Sequence, residues 1–266
     1  MTIQVSKLFY YPIKSFAGIA CEQMHINAWG PLRDRRLMLV DEQGNFITQR
    51  QCRIMALMSL KDSQESLTLA YEGESFTLAW PNFFKTSKTQ KVQVWEEELS
   101  GQIIGGEIND WLSRLLQRRV KLVYMADETH RQVDLAYASQ GTRTGFADGF
   151  PFLIVSQESI TSLQQELTFE LDVKRFRPNI VLSGCDAFSE DQWKTISINN
   201  IEFNLVKPCS RCVIPSIDLT TGLMQKEVMQ VMMAHRKRDN EVYLGQNAVH
   251  KGQGSIEVGQ QVEIIA

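Results

Sequence analysis

The sequence predicts a mainly β protein with some helices (α+β), built from two consecutive β-rich domains. Short runs rich in β-branched and aromatic residues recur along both halves, and Gly, Asn, Asp or Pro turn signals separate them. Helical periodicity is confined to three segments. A chain of 266 residues can hold two modest domains, and we place them at residues 1–122 and 123–266.

The N-terminal half contains most of the predicted short strands. The seven candidates are Ile3–Tyr11, Leu37–Val40, Phe46–Thr48, Ile54–Leu60, Leu67–Tyr71, Ser75–Leu78 and Val92–Val94. Turn signals such as Asp41–Gly44 and Glu72-Gly73 separate them. Short strands at this spacing favour a barrel or a sandwich over a parallel α/β sheet. The segment Glu107–Leu116 places its apolar residues on one helical face and predicts a helix.

The C-terminal half begins with a polar stretch from Ala126 to Gly149, which predicts a loop at the domain seam. Six strands are predicted after it: Phe152–Val155, Asn179–Ser183, Ile196–Ile198, Ile201–Val206, Ala248–His250 and Val262–Ile265. One helix is predicted to begin at the N-cap residue Ser156 and to end near Leu167. Another is predicted from Gln225 to about Arg236.

Composition excludes several classes of function. A net charge of −3 gives no general attraction for nucleic acid or for anionic membranes, so any anion site needs local cations. No apolar run approaches the roughly 18–20 residues that cross a bilayer. Five cysteines and no secretory start do not suggest a disulfide framework, and they favour a reducing cytoplasm. We therefore expect a cytoplasmic protein that binds neither nucleic acid nor membranes.

The tetrad Cys209-Ser210-Arg211-Cys212 carries the strongest chemical signal in the chain. It follows the predicted strand Ile201–Val206, which Pro208 is expected to end because proline cannot continue a sheet ladder. A thiol ionises more easily beside an arginine, and the thiolate is the form that attacks electrophiles or binds metals. We therefore expect the chemistry of the protein at this corner.

Three other interpretations of the tetrad stay open from the residues alone. The first is half of a zinc site, but zinc needs about four ligands and the other cysteines and the histidines are scattered. The second is a thioredoxin-like redox pair, although such a pair opens a helix and Pro215 indicates a loop. The third is a pair of buried, small apolar side chains without a chemical role.

Other motifs combine cations with small polar residues. Lys14 and Ser15 follow the first predicted strand, where they could hold a phosphate. Arg177 and Asn179 flank a proline; arginine suits phosphate or carboxylate, and an amide can contact the edge of a heterocycle. Leu32–Arg36 is a dense charge run of the kind that usually forms a solvated face. The sequence contains no glycine-rich dinucleotide fingerprint, phosphate loop or Ser-His-Asp pattern.

In order along the chain, these motifs resemble those of the MOSC-domain proteins, in particular the bacterial YcbX type and the mitochondrial amidoxime-reducing components. The resemblance covers essentially the whole chain. Its segments are Pro12–Ser15, Leu32–Arg35, Phe176–Asn179, Lys207–Cys212 and Gly245–Asn247. It implies an N-terminal MOSC-associated β-rich domain followed by a MOSC β-barrel. It also implies that the protein binds the molybdenum cofactor, in which molybdopterin holds the metal.

The same resemblance assigns roles to individual residues. Cys212 is the expected thiolate ligand of the molybdenum and a catalytic residue, whereas Cys209 is expected to pack nearby. Asp218 is the second expected catalytic residue, orienting the site or assisting proton delivery; capping the turn before Gly222 is its alternative role. The residues expected to hold the phosphate and pterin of the cofactor are Lys14, Ser15, Arg35, Arg177, Asn179, Ser210 and Arg211.

The activity that the resemblance implies is the reduction of N-hydroxylated compounds, such as hydroxylamines, amidoximes and N-hydroxylated bases, to amines. No cluster of cysteines follows the last predicted strand. Electrons are therefore expected from a separate partner, a flavoprotein reductase or a ferredoxin-like domain, unless the chain is a fragment of a longer protein. Pro215 stands where relatives commonly carry threonines, which bears on substrate range. Detoxification and the binding of pyridoxal phosphate are further expectations.

Two alternatives from other classes accompany the enzyme hypothesis. One is a non-catalytic carrier of molybdenum cofactor or sulfur. The other is an interaction module that uses the barrel without a metal. An enzyme needs a substrate pocket and an electron partner, whereas a carrier needs neither.

Overall fold

The structure is a computed structural model, and it describes residues 2–80 and 88–266. Its strands, in chain order, are β1 (Gln4–Tyr10), β2 (Ile19–Cys21), β3 (Gln23–Asn27), β4 (Gly30–Pro31), β5 (Leu37–Val40), β6 (Ser59–Asp62), β7 (Ser66–Tyr71), β8 (Glu74–Ala79), β9 (Thr89–Val94), β10 (Glu97–Ile104), β11 (Lys121–Tyr124), β12 (Phe152–Ser156), β13 (Ile180–Ser183), β14 (Thr195–Ile198), β15 (Ile201–Ser210), β16 (Lys237–Arg238), β17 (Glu241–Lys251), β18 (Gly254–Glu257) and β19 (Val262–Ile264). The predicted fold class, mainly β with some helices, is confirmed.

The helices are short and lie at the ends or on the faces of the sheets. The α-helices are α1 (Ile54–Leu57), α2 (Glu107–Leu115), α3 (Gln157–Gln164) and α4 (Glu227–Arg236), and 3-10 turns cover Val173–Phe176, Ser189–Asp191 and Ile214–Ser216. The predicted N-cap of α3 is confirmed, because the side chain of Ser156 accepts a hydrogen bond from Ser159 N. Among the described residues, none of the helices has the length and apolar character to cross a membrane.

The largest sheet has nine strands, in the order β19-β14-β15-β17-β12-β13-β1-β2, with β16 paired to β17. Most of these strands come from the C-terminal half, but β1 pairs antiparallel with β13. The N-terminal strand β3 likewise pairs with β18 near the end of the chain. The N-terminal residues therefore complete the sheets of the C-terminal half. The proposed domain boundary at residue 122 stays a prediction, and it lies within β11.

The remaining N-terminal strands form two smaller antiparallel sheets, β5-β11-β10-β9 and β6-β7-β8. Their apolar faces meet in one core cluster that also receives Ile108 and Leu112 from α2. A second cluster lies within the large sheet, around Phe152 and Phe203. A third, which contains Phe9, Tyr11 and other side chains between β1, β17 and the two C-terminal helices, lies beneath the motifs singled out above.

Three predicted elements differ from the structure. Ile54–Leu60 is not one strand, because α1 closes a single turn through Met58 N and Ile54 O (3.1 Å) before β6 begins. An apolar run of this length does not distinguish a strand from a helical turn by periodicity. Phe46–Thr48 forms only an isolated bridge between Val40 and Phe46.

Pro208 does not end its strand, which is the third correction. Strand β15 continues to Ser210 and pairs with β17 through two irregularities in register, at Leu205/Lys207 and at Pro208/Ser210. At a β-bulge the ladder is already interrupted, so the missing N–H of proline costs no regular hydrogen bond. The first two residues of the tetrad are therefore held on a strand, and Arg211 and Cys212 follow beyond its end.

The predicted loop Ala126–Gly149 is confirmed, since it contains no helix and only one bridge, between Gln132 and Arg143. It is not a solvated linker, because Arg131, Thr144 and other side chains in it are buried.

Candidate active site

The ring of Tyr11 is the centre of the site. It is fully buried at the end of β1, and the guanidinium carbons of Arg35 and Arg177 each lie 4.3 Å from its centroid. The hydroxyl donates to the carbonyl of Pro178 (3.1 Å). A Cβ atom added at Gly18 would lie 2.4 Å from Tyr11 Cε1, so only glycine leaves room for the ring. Two cations and one aromatic face therefore share a small buried volume, which favours a cation–π arrangement.

Arg35 and Asn179 lie in contact, as the sequence predicts for two residues of one site. Arg35 Nη1 donates to Asn179 Oδ1 (3.1 Å) and to Asp34 Oδ2 (2.5 Å), and its Nη2 donates to the carbonyl of Arg177 (3.2 Å). Asn179 Nδ2 in turn donates to Asp34 Oδ1 and to the carbonyl of Phe9, each at 3.2 Å. The amide of Asn179 is thus engaged in positioning Arg35. A direct contact of Asn179 with the cofactor stays a prediction.

Arg177 keeps an unused donor. Its Nη1 donates to the carbonyl of Phe16 (2.5 Å), whereas Nη2 is buried without a hydrogen-bond partner among the residues that the structure describes. Burial, followed by the nearby charge of Arg35, lowers the pKa of Arg177 to about 10. A buried donor on a destabilised cation is the arrangement that an anionic oxygen would relieve.

Lys14 extends the group of cations. It is buried, and its Nζ donates to the carbonyl of Phe146 (2.8 Å) and to Asp148 Oδ1 (2.5 Å). Burial lowers the pKa of Lys14, and the charge of Asp148 opposes that shift. The charge and hydrogen bond of Lys14, together with the indole N–H of Trp95, hold the pKa of Asp148 well below its usual range. Ser15 is buried beside Lys14 in a left-handed backbone conformation (φ 67°).

The tetrad contacts this group through the segment Phe176–Asn179. Arg211 Nη2 donates to the carbonyl of Phe176 (2.7 Å), and its Nη1 lies 2.9 Å from Cys209 Sγ. The Nε of Arg211 is buried and has no hydrogen-bond partner within the described part of the chain. Ser210 pairs with Tyr243 at the end of the sheet. The arginine of the tetrad therefore faces the site, but it contacts Cys209.

The two thiols of the tetrad have different surroundings. Cys209 is half-buried and packs against the third core cluster, as expected for a packing residue. Cys212 is exposed, whereas Cys21, Cys52 and Cys185 are each partly buried. Of the five cysteines, Cys212 is thus the thiol most accessible to a metal centre or a partner.

Asp218 is held by the turn that follows Cys212. Its Oδ2 accepts from Arg175 Nη2 (2.8 Å), and its Oδ1 accepts from the backbone N–H groups of Thr220 (3.0 Å) and Thr221 (2.8 Å). Burial raises the pKa of Asp218, but these donors outweigh it and the net shift is downward. The contacts are those of the turn-capping alternative. Proton delivery by Asp218 stays a prediction.

We call Lys14, Arg35 and Arg177, with Asn179, the cation cluster. Sequence patterns identified these four residues but missed what holds them in place. Tyr11 and Gly18 lie outside the quoted motifs, and the Leu32–Arg36 run is wrong as a solvated face because Asp34 and Arg36 are buried. The sequence signal for a buried ion pair in that run is the acidic Asp34 directly beside the basic Arg35.

A zinc site finds no support in the described residues, which contain no group of three or more His, Cys, Asp or Glu side chains that could hold a metal. Cys212 provides a single thiolate. A metal bound there must bring most of its ligands with it, as a metal held by a dithiolene does.

Comparisons with known proteins identify the family of the chain. Residues 2–119 match the MOSC N-terminal beta barrel domain, and residues 141–263 match the MOSC domain. Mitochondrial amidoxime-reducing component 1 of Homo sapiens is 30% identical over 280 residues, which are 98% of this chain and 82% of that protein. The chain belongs to the MOSC-domain family of amidoxime-reducing components.

Two further proteins are similar to this MOSC-domain protein over most of its length. Mitochondrial amidoxime reducing component 2 of Macaca fascicularis is 30% identical over 247 residues, covering 88% of this chain and 73% of that protein. The crystal structure of the YUAD protein from Bacillus subtilis aligns with 98% of this chain and 94% of that chain, with a TM-score of 0.46 and 10% identity. Family membership confirms two expectations: the protein is an oxidoreductase, and its cofactor is the molybdenum cofactor.

Proposed function

We propose that this protein reduces N-hydroxylated compounds, such as hydroxylamines, amidoximes and N-hydroxylated bases, to the parent amines, amidines and bases. The observation that carries the proposal is the hydrogen bond from Arg211, next to the exposed thiol of Cys212, to the carbonyl of Phe176, the residue before Arg177 of the cation cluster. Human component 1 is named for amidoxime reduction, which supports this substrate class. The balanced step converts R–NHOH, two electrons and two protons into R–NH2 and water.

The residues fit a cofactor with an anionic phosphate at one end and a soft metal at the other. Arg177 Nη2 and Arg211 Nε are buried donors without partners among the described residues, and an oxyanion or a carbonyl oxygen would satisfy both. Two of the three N–H groups of Lys14 already donate to Phe146 and Asp148, so the third is the one that can donate to the phosphate. The soft sulfur of Cys212 suits a metal of the molybdenum type.

Each part of the chain then has a separate task. When bound, the molybdenum cofactor supplies two-electron redox chemistry at the metal. Arg177, Arg35 and Lys14 would neutralise and orient the phosphate, and Asn179 keeps Arg35 in place. Arg211 joins the tetrad to the segment that carries Arg177 and Asn179, through the carbonyl of Phe176. Pro215, buried in the turn after Cys212, offers neither a hydroxyl nor an N–H to a substrate.

Electrons are proposed to come from a separate protein, either a flavoprotein reductase or a ferredoxin-like domain. The exposure of Cys212 and Val213 supports this, because a donor can approach the thiol directly. The same exposure favours the second candidate, a carrier that transfers cofactor or sulfur to another enzyme. Cytoplasmic localisation and detoxification stay predictions. Pyridoxal phosphate binding does as well, and the cation cluster is the part of the site that suits a phosphate monoester.

The decisive experiment measures molybdenum per chain by elemental analysis on protein co-expressed with cofactor synthesis. Wild type, Cys212→Ser and the matched variant Cys209→Ser are compared, together with reduction of a hydroxylamine by a chemical donor. We expect near-stoichiometric metal and turnover in wild type, loss of turnover in Cys212→Ser, and a mild effect in Cys209→Ser. Equal losses in both variants at matched thermal stability would contradict the choice of ligand. Bound metal without any turnover would favour the carrier.

A further inference from the structure

Arg131 is buried in the loop Ala126–Gly149 and is only 1% exposed. On one side its Nη2 forms an ion pair with Glu97 Oε1 (2.7 Å), on β10. On the other side its Nη1 donates to the carbonyls of Gly145 (2.7 Å) and Ala147, and Nη2 lies 3.4 Å from the carbonyl of Asp148. A single guanidinium thus contacts three of the four carbonyls of one loop segment, residues 145–148.

The opposite side of that segment contacts the cation cluster. The carbonyl of Phe146 and the carboxylate of Asp148 both accept from Lys14 Nζ. The N–H of Phe146 donates to the carbonyl of Arg35 (2.7 Å). A Cβ atom at Gly145 would lie 2.7 Å from that same carbonyl, so the loop backbone packs directly against Arg35. Residues 145–148 are therefore held between Arg131 and the cation cluster.

The loop belongs to none of the sheets, and side chains hold the 145–148 segment in place. Besides Arg131, these are Phe146, which is buried in a core cluster, and Trp95, whose Nε1 donates to Asp148 Oδ1 (3.2 Å). The planar fork of an arginine can satisfy several carbonyls in a set geometry, which a lysine ammonium cannot reproduce. We propose that Arg131 is a positioning residue, which holds the 145–148 segment so that Asp148 and Phe146 orient Lys14 for an anionic ligand. The inference rests on the proposed function for the identity of that ligand, but the geometry concerns the chain alone.

A consequence follows for the protonation of Lys14. The charged groups that act on it are Asp148, Arg131 and Arg35, and only Asp148 favours the protonated amine. If the Asp148 carboxylate moves away, Lys14 loses the one favourable charge while burial and Arg35 still disfavour its charge. Its pKa then falls further below the ordinary lysine value, and the amine loses its proton at a lower pH. An opposite charge at hydrogen-bonding distance changes a pKa by about 1–3.

The test measures the acetylation rate of Lys14 by mass spectrometry across a pH series, in protein prepared without cofactor. Arg131→Lys keeps the charge and removes the fork, while Asp148→Asn removes the carboxylate directly. We expect both to lower the pH midpoint of acetylation, so that at a fixed pH below it the reactive amine increases about tenfold or more. A change in accessibility alone alters the maximal rate and leaves the midpoint in place. The control is Arg114→Lys, in an exposed ion pair with Glu74.

A second measurement separates this inference from the proposed function. If the wild-type protein binds the cofactor, the Arg131→Lys variant should contain several-fold less molybdenum per chain than wild type. Its turnover per bound metal should be unchanged. If wild type binds no metal, the proposed function fails, and the acetylation midpoint still tests Arg131. Should Arg131→Lys not fold, Glu97→Gln weakens the same anchor at a half-exposed side chain. The role of Arg131 is overturned by one result. In that result Asp148→Asn shifts the pH midpoint of Lys14 acetylation, but the folded Arg131 or Glu97 variant does not.

Discussion

The cation cluster and the Cys212 loop are two halves of one site with opposite surroundings. Arg35 is held by Asp34, Asn179 and the carbonyl of Arg177, and it also lies over the ring of Tyr11. Cys212 is exposed, and the arginine next to it contacts Cys209. One half is fixed by buried hydrogen bonds before any ligand arrives, whereas the other is open to solvent and to partners.

The difference assigns cofactor binding to the cation cluster and redox chemistry to the Cys212 loop. A preorganised, buried group of cations binds an anion with little loss of side-chain entropy, and it is suited to permanent retention of a cofactor. A metal that exchanges oxygen and electrons needs access from outside, which an exposed thiol provides. The carbonyl of Phe176, which accepts from Arg211, connects the two halves. Substitutions should therefore affect retention in the first half and turnover in the second.

The largest expected effect is on retention, from Arg177→Ala. Its buried Nη2 has no partner among the described residues, so a bound anion would gain a charge-assisted hydrogen bond worth about 1.5–3 kcal/mol. Affinity for the cofactor should fall by about 10- to 100-fold. Molybdenum per chain is measured after dialysis, and turnover is divided by bound metal. We expect low occupancy with normal turnover per metal.

The matched control for Arg177→Ala is Arg114→Ala, which removes an exposed arginine from the surface pair with Glu74. Its occupancy should remain that of wild type, because surface ion pairs contribute little. Unchanged molybdenum occupancy in Arg177→Ala would contradict the role of Arg177 in retaining the cofactor. A loss of turnover per bound metal at unchanged occupancy would contradict it as well.

The next effect is on the platform beneath the cations, from Gly18→Ala. The added Cβ would meet Tyr11 Cε1 at 2.4 Å, so the buried ring must move, and overpacking of this kind costs about 2 kcal/mol. Thermal unfolding checks the loss of stability, and molybdenum retention checks the displaced arginines. Gly105→Ala is the control, since no atom lies within 4 Å of its Cβ position. Equal stability of the two variants would show that Tyr11 is not constrained by Gly18.

Sequence patterns predicted the β-rich class, the helix capped by Ser156 and the residues of the cation cluster. They were sufficient there because caps and hydrophobic periodicity are local signals, and the motifs occur in family order. They failed at Pro208, where the pairing of β15 with β17 contains bulges that only the partner strand defines. They also failed for Leu32–Arg36, since burial of Asp34 depends on residues far along the chain, such as Asn179.

The contacts of the tetrad show the same limit. The sequence places Arg211 directly before Cys212 and two residues after Cys209, and adjacency alone suggests that it activates Cys212. In the structure the guanidinium lies against Cys209, because the strand end and the carbonyl of Phe176 fix its direction. Likewise, no pattern in the loop indicates Arg131, whose role depends on β10 and on the backbone of Arg35.

The smallest expected effect concerns Cys209, which lies between the two halves. Cys209→Ser replaces a half-buried sulfur that packs on the core and contacts Arg211, so stability should fall by about 1 kcal/mol or less. Alkylation with iodoacetamide, followed by peptide mass spectrometry, should label Cys212 first in wild type and in Cys209→Ser alike. In Cys212→Ser the tetrad should react slowly, because Cys209 is shielded by its packing and by Arg211. Fast labelling of Cys209 in that variant would show that the tetrad is open as a whole, and the boundary between the fixed and the open half would then lie before Cys209.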